Sequence, residues 1–233
     1  MGEIQDDARL RDRRFVFHDR HDAGRQLGTF VRALPGIADP VVLAIPAGGV
    51  PVGIMLVKTL TAPFGLAIVR KIRIPGSTEA GFGAVAWDGS VLINERLQAA
   101  LGLGREDVGR AIAATRQNVR QRVEKFAGIL PPVAPGGKTA ILTDDGLASG
   151  YTMLAAIRSL RKTGPRQIVV AVPTGSSSSV ELISREADRV VCLNIRSGRT
   201  FAVADAYEQW YDLEEREVYD ELRQVTGSTS TVT

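Results

Sequence analysis

Two adjacent carboxylates, Asp144 and Asp145, lie between an apolar run of β-forming residues and a loop of small residues. The loop, residues 146–152, leads into a helical pattern that begins near Met153. The start of a helix presents free N–H groups and the positive end of the helix dipole, and both suit a phosphate. Two carboxylates about 4 Å apart repel by about 4 kcal/mol at an effective dielectric constant of 20, and they would also repel a phosphate beside them. The acids therefore favour sugar hydroxyls or a divalent cation, and a ribose 5-phosphate would satisfy both halves of the segment.

Residues 141–152 read Ile-Leu-Thr-Asp-Asp-Gly-Leu-Ala-Ser-Gly-Tyr-Thr, and they resemble the phosphoribosyl-pyrophosphate (PRPP) motif of the type I phosphoribosyltransferases. The resemblance implies that Asp144 and Asp145 hold the ribose 2′- and 3′-hydroxyls, while the loop holds the 5′-phosphate. It also makes Asp145 a candidate catalytic residue, which would stabilise positive charge at the anomeric carbon or take a proton from the base. In the alternative interpretation, one of the acids only caps the helix. The candidate phosphate-binding residues are Gly146, Leu147, Ala148, Ser149, Gly150, Tyr151 and Thr152.

A second loop, Ala47-Gly48-Gly49, follows the buried-strand pattern of residues 41–46 and precedes a helical pattern over residues 52–60. Adjacent glycines can adopt positive φ and let the backbone approach a ligand closely. The segment resembles the pyrophosphate loop of the same family, which implies that Ala47, Gly48 and Gly49 contact the leaving pyrophosphate. Family members often carry arginine at the position of Ala47. Either another basic residue supplies that cation here, or pyrophosphate is bound more weakly.

A predicted strand over residues 66–74 carries three cations within four residues, and two of them are Arg70 and Lys71. The resemblance implies that this pair approaches the pyrophosphate and has a catalytic role. In the alternative interpretation, the charges only protect an edge strand from aggregation.

The residues after this strand predict a tract that moves, followed by a hairpin. Gly76, Gly81 and Gly83 fit the mobile catalytic loop that the family has in this region. Asp88-Gly89 lies between two β-type runs and predicts a hairpin with a two-residue turn.

The rest of the chain alternates between strand and helix patterns, which predicts parallel βαβ units. Ligands of such open sheets bind at the carboxyl ends of the strands, where residues 47–49, 144–145 and a predicted loop at 174–176 would lie. The resemblance implies a type I phosphoribosyltransferase-like α/β fold. Its central, mostly parallel sheet would be flanked by helices and would carry a β-hairpin with a flexible loop and a small helical hood.

The patterns predict one domain over residues 1–226 and a disordered tail at 227–233. A helical segment at about 95–130 is inserted between the hairpin and the motif strand, and its main helix is expected over residues 105–126. The basic side chains of that helix are expected to be solvated, although they could also attract phosphates.

Composition favours a soluble, cytoplasmic globular protein. The 233 residues include 44% hydrophobic and 24% charged residues, and the net charge of +3 is too small to indicate nucleic-acid binding. There is no apolar run of membrane-spanning length. Cys192 lies in a strand pattern and is expected to be a core residue, while His18 and His21 are expected at the start of a helix over residues 23–34.

The C-terminal portion does not identify an acceptor. In the family the acceptor base stacks beneath a variable hood, and Phe201 or Tyr207 could serve. These aromatic residues could equally pack a last helix, over residues 213–224, onto the sheet, and packing is the favoured interpretation.

The resemblance implies an enzyme of nucleotide metabolism, a phosphoribosyltransferase. It would transfer the 5-phosphoribosyl group of PRPP to an unidentified nitrogenous base and release pyrophosphate. Mg²⁺ would arrive with PRPP, with Asp144 and Asp145 as possible ligands, and the protein could form a homodimer. The alternative is a regulatory protein on the same fold that senses PRPP or a nucleotide without turnover.

Overall fold

The computed structural model describes residues 1–74, 81–198 and 200–228, and a sheet of six strands lies at its centre. Every pair of neighbouring strands is parallel. The predicted α/β class, with a central parallel sheet flanked by helices, is confirmed. From one edge to the other the strands are β1 (Glu3–Gln5), β9 (Arg189–Arg196), β8 (Gln167–Ser176), β7 (Thr139–Thr143), β2 (Pro40–Ala44) and β3 (Phe64–Leu66).

Helices cover both faces of this sheet, so the middle residues of its central strands are apolar. Along β7, for example, Ile141 packs into one core and Ala140 and Leu142 into the other. One core includes α1 (Arg20–Arg32), α2 (Gly49–Leu60) and α7 (Glu215–Ser228), and the other includes α5 (Tyr151–Arg161) and α6 (Ser177–Ser184). Burial on both faces explains why these strands read as continuous apolar runs.

A separate antiparallel sheet contains β4 (Val69–Arg73), β5 (Gly81–Ala86) and β6 (Val91–Ile93). The predicted hairpin is present, but the predicted two-residue turn is wrong. The N–H of Ala86 donates to the carbonyl of Ser90, and Gly89 alone in the turn has positive φ, at 81°. Asp88 keeps negative φ, so the connection takes three residues with a left-handed glycine at the end.

Two predicted loops belong to strands. Gly81 and Gly83 lie in β5 and pair with β4, so they are not part of a mobile tract. A side chain at Gly83 would collide with the carbonyl of Leu92, so this glycine permits close strand contact. The remainder of the tract, residues 75–80, lies outside the described residues. Residues 174–176, predicted as a loop, extend β8 instead, because β9 continues beside them.

Three helices begin earlier than their apolar patterns indicated. The helix α1 starts at Arg20 because the side chain of Asp19 accepts a hydrogen bond from the N–H of Asp22. The helix α2 starts at Gly49, since Pro51 falls in its first turn, where a missing N–H is tolerated. The helix α5 starts at Tyr151. Each site loop is therefore shorter than predicted.

The inserted segment forms α3 (Glu95–Ala100) and the long α4 (Arg105–Ala127), which confirms the predicted helix. Val108, Val119 and Phe126 of α4 are buried, and α4 packs on β4. The last helix, α7, continues to Ser228, and residues 229–233 lie outside the described residues. Across the described helices, none has the length and apolar character needed to cross a membrane.

Candidate active site

The loops that follow β2 and β7 meet at the carboxyl edge of the central sheet. A Cβ atom at Gly48 would overlap the carboxylate of Asp145. A Cβ atom at Gly49 would lie 2.8 Å from the carbonyl of Thr143 and 2.9 Å from the Cα of Asp144. The expectation that these glycines supply positive φ is wrong, because φ of Gly48 is −57° and neither glycine has positive φ. Their lack of a side chain instead allows the two loops to touch.

The carboxylate of Asp145 pairs with Arg20, a residue that sequence reasoning missed. The Nε of Arg20 lies 3.0 Å from Oδ2 of Asp145, and the Arg20 and Asp145 side chains are 7% and 15% exposed. Arg20 is the first residue of α1, where a cation opposes the helix dipole. A cation at this unfavourable position indicates a partner elsewhere in the fold. The sequence shows this only if Asp19 is recognised as the N-cap of α1.

The two acids are not equivalent. Burial raises the pKa of Asp144 well above its usual range, the adjacent Asp145 raises it further, and Lys71 opposes the rise. Burial also raises the pKa of Asp145, but the charge and hydrogen bond of Arg20 oppose that shift. The cation Arg20 therefore favours the ionised form of Asp145 but does not pair with Asp144.

The loop of residues 146–150, which follows the acids, is held in place by hydrogen bonds to β8. The N–H of Leu147 donates to the carbonyl of Thr174, so this amide of the predicted phosphate-binding set is already engaged. The hydroxyl of Ser179 holds the carbonyl of Ala148. Gly150 then turns the chain into α5 with φ of 76°, and no described side chain caps that helix. The exposed residues Ala148 and Ser149 and the first turn of α5 are therefore available to an anion.

A cavity of about 540 Å³ brings together predicted site residues from four segments of the chain. The inserted helix α4 forms one wall of this cavity. The sequence predicted the helix but not its place beside the site. Residues named in advance that line the cavity are Ala47, Arg70, Lys71, Asp144 and Thr152, and further lining residues include Arg73, Ala111, Ala114, Thr115 and Asn118. Asp145 follows Asp144 directly, with its carboxylate against Gly48.

The cations of β4 are crowded at this cavity. The Nε of Arg70 donates to Oδ1 of Asn118 on α4, at 3.2 Å. Burial lowers the pKa of Arg70, and the charges of Arg122 and Arg73 lower it further against the opposing effect of Glu215. Although β4 is an edge strand, as the alternative interpretation required, its cations face a cavity where a polyanion would relieve their repulsion.

An aromatic residue of the C-terminal segment, Tyr207, contacts the backbone of Asp145. Tyr207 is buried, packs between Phe17 and Trp210, and donates its hydroxyl to the carbonyl of Asp145 at 2.6 Å. Stacking of a base on Tyr207 is thus excluded, and the packing interpretation holds for it. The ring of Phe201 lies 4.9 Å from the guanidinium of Arg196.

The remaining titratable candidates lie elsewhere. Cys192 is fully buried, and burial raises the pKa of its thiol, so it is a core residue as predicted. His18 and His21 pair with Glu208 and Glu221 at the surface around α1. Over the described ranges, His, Cys, Asp and Glu side chains form no cluster of three that could hold a metal.

Comparisons with known proteins agree with this arrangement. The profile of the phosphoribosyl transferase domain matches residues 30–206. Two Mycobacterium tuberculosis proteins, from strains CDC 1551 / Oshkosh and H37Rv, both carry the name "Putative phosphoribosyl transferase". Each is 35% identical over 206 residues, which cover 87% of this chain and 45% of the relative. The chain thus spans less than half the length of these curated relatives. The crystal structure of the protein TT1426 from Thermus thermophilus is 32% identical, with a TM-score of 0.73 over 89% of this chain and 98% of that chain.

Proposed function

This chain belongs to the phosphoribosyl transferase family, and on that premise we propose that it transfers the 5-phosphoribosyl group of PRPP to a nitrogenous base. The observation that carries the proposal is one cavity lined by an acid, two cations and the start of a helix: Asp144, Arg70, Lys71 and Thr152. PRPP has a diol, a pyrophosphate and a 5′-phosphate, and each of these groups has a chemically matched partner there.

In the proposed complex, Asp144 and Asp145 accept hydrogen bonds from the ribose hydroxyls. The 5′-phosphate is bound by the loop of residues 148–152 and the positive end of α5. Of the predicted phosphate-binding residues, Leu147 contributes through its position only, because its amide is engaged with Thr174. Gly146 is needed for a steric reason, because a Cβ atom at this position would lie only 2.7 Å from the side chain of Val203.

The pyrophosphate is bound by residues 47–49 together with Arg70 and Lys71. Ala47 lacks the cation that family members often carry at this position. Arg70 and Lys71 line the same cavity as Ala47, so they can supply the missing charge. This arrangement supports the first alternative, in which other basic residues supply the cation that Ala47 lacks.

In the proposed reaction, the bond from the anomeric carbon to pyrophosphate oxygen breaks, and its electron pair leaves with pyrophosphate. A lone pair of the base nitrogen forms the new bond to carbon, and the nitrogen loses its proton to the surrounding water. Asp145, paired with Arg20, stabilises the positive charge on the ribosyl carbon. Arg70 and Lys71 stabilise the charge that grows on pyrophosphate.

The residues of the cavity fit Mg²⁺ that arrives with PRPP. Mg²⁺ commonly binds through one or two carboxylates together with the phosphates of its substrate. Asp144 offers such a carboxylate at the cavity wall, with Asp145 adjacent. When bound, the ion would neutralise negative charge on the pyrophosphate oxygens.

One observation favours a second candidate, a sensor that binds PRPP or a nucleotide without turnover. Both aromatic residues that could have stacked an acceptor base are engaged, Tyr207 beneath Asp145 and Phe201 against Arg196. A sensor needs the PRPP groups but no acceptor site.

Calorimetric titration with PRPP and Mg²⁺, followed by a screen of purine and pyrimidine bases for pyrophosphate release, separates the candidates. Release with any base supports the transferase. Binding without release for every base supports the sensor. Absence of PRPP binding contradicts both.

A further inference from the structure

Arg70 is a cation of the cavity whose side chain is held by an amide. Its Nε donates to Oδ1 of Asn118 on α4, at 3.2 Å. Arg70 forms no ion pair with any of the described residues. Glu215, whose charge acts on Arg70, pairs instead with Arg122 at 3.6 Å and with Lys125 at 3.3 Å. The neutral side chain of Asn118 is therefore the group that orients this guanidinium.

The fold places Asn118 firmly at the wall of the cavity. The next residue, Val119, is 1% exposed and anchors α4, which packs on the strand that carries Arg70. Thr115, one turn earlier on the same face, also lines the cavity, but its hydroxyl donates to the carbonyl of Ala111 within the helix. Of these two polar side chains of α4, Asn118 is the one that reaches β4.

A neutral partner holds Arg70 without cancelling its charge. Lys71 and Arg73 line the same cavity and repel Arg70, so an unrestrained side chain would turn away from them. An amide oxygen accepts a hydrogen bond but carries no net charge, so the field of the cations stays available to an anion. With Nε engaged, the terminal nitrogens of Arg70 remain as donors in the planar geometry that matches phosphate oxygens.

We infer that Asn118 is a positioning residue, which orients the guanidinium of Arg70 towards a phosphate-type anion without neutralising it. This assigns a role in the site to the inserted helix α4. The orientation of Arg70 does not depend on the proposed function, whereas its consequence for pyrophosphate binding rests on that function.

The first test needs no ligand. Nitrogen-15 NMR of the arginine Nε–H groups, with the Arg70 signal identified by its absence in Arg70→Lys, follows the exchange of this proton with water. Asn118→Leu keeps a side chain of similar size but removes the acceptor, so exchange should become about fivefold faster, as the loss of one hydrogen bond gives. Asn118→Asp keeps an acceptor and should leave exchange slow. Gln117→Leu, at an exposed position of the same helix, is the matched control and should change nothing.

The second test is calorimetry with inorganic pyrophosphate and Mg²⁺. Asn118→Leu should weaken pyrophosphate binding by about tenfold, which lies within the range of coupling between residues in contact. In an Arg70→Ala background the same substitution should have little further effect, because Asn118 acts through Arg70. Asn118→Asp should also weaken binding although Arg70 stays ordered, because its carboxylate cancels the charge of the guanidinium and repels the anion.

Unchanged exchange of the Arg70 Nε–H in folded Asn118→Leu would overturn the inference, and so would an equal loss of pyrophosphate affinity with and without Arg70, or no loss at all. If Asn118→Leu does not fold, Asn118→Asp decides: slow exchange with weaker pyrophosphate binding supports the inference, and fast exchange or tighter binding contradicts it. If the wild type binds neither pyrophosphate nor PRPP while the exchange still depends on Asn118, the proposed function fails and the positioning of Arg70 stands.

Discussion

The carboxylate of Asp145 lies against the Cα atom of Gly48, so the two site loops can meet only where position 48 has no side chain. The requirement is steric, since the backbone of Gly48 has φ of −57°, which any residue adopts. The acid therefore fixes the identity of a residue nearly a hundred positions earlier in the chain.

Gly48→Ala should both destabilise the protein and impair the site. The added methyl group must displace Asp145 from Arg20, and overpacking of this kind costs about 1 to 3 kcal/mol. Chemical denaturation and PRPP calorimetry measure the two effects, and we expect PRPP affinity to fall at least tenfold, about 1.4 kcal/mol. Gly109→Ala, in an open position of α4, is the matched control and should be neutral or stabilising. Equal behaviour of the two variants would contradict the steric account.

Asp144 should reduce stability at neutral pH, because burial and Asp145 raise its pKa in the folded state. A carboxyl whose folded pKa is raised begins to destabilise the fold once pH exceeds its unfolded pKa, and the penalty is complete above the folded pKa. The penalty shrinks as pH falls from the folded pKa and is lost at the unfolded value. Asp144→Asn should therefore increase the free energy of unfolding by about 1 to 3 kcal/mol at mildly alkaline pH, the usual cost of an uncompensated buried group. The gain should shrink towards acidic pH.

Denaturant unfolding across a pH series measures this difference, with the exposed Asp220→Asn as the control. A gain that grows as pH falls would show that the sign is wrong.

At the scale of elements, the antiparallel sheet that carries Arg70 and Lys71 is attached to the parallel core through its hairpin. Asp88 at the tip accepts a hydrogen bond from Nζ of Lys162, at the end of α5, at 2.8 Å, and others from Ser90. This link connects α5, which starts after the loop of residues 146–150, with the sheet that carries Arg70 and Lys71. The end of α5 and the antiparallel sheet are therefore joined by a direct side-chain contact.

Asp88→Asn should weaken that link. Burial raises the pKa of Asp88, but the hydrogen bonds from Lys162 and Ser90 outweigh it, so the net pKa is lowered. A lowered pKa gives stability above the unfolded value of about 3.9, and that stability is lost as pH falls through the folded pKa. Because the site is partly solvated, we expect a loss of only about 0.5 to 1 kcal/mol at neutral pH.

Denaturant unfolding of Asp88→Asn at neutral and acidic pH measures the loss and its decrease. The exposed helical pair of Asp107 and Arg110 offers the control, since Asp107→Asn should change stability less. A larger loss at acidic pH than at neutral pH would contradict the assignment.

At the scale of the whole molecule, local patterns predicted the strands, the order of elements and the two loops, because apolar runs and small residues act over a few positions. The pairing of Arg20 with Asp145 spans 125 positions, and no local pattern records it. The same holds for α4, whose amphipathic pattern predicted a helix but not that Ala111, Thr115 and Asn118 would face the cavity. Contacts between distant elements decide which predicted residues meet, and those contacts depend on the complete packing.

We propose that one cavity binds PRPP through Asp144 and the cations opposite it. Calorimetry of the wild type and of Asp144→Asn with PRPP and Mg²⁺ tests it most directly, because this substitution should leave the fold at least as stable. The account predicts that the wild type binds PRPP and that Asp144→Asn binds it about tenfold to a hundredfold more weakly, as the loss of a charged hydrogen-bond partner would give. Equal affinity in the two proteins, or no binding by the wild type, would contradict the account.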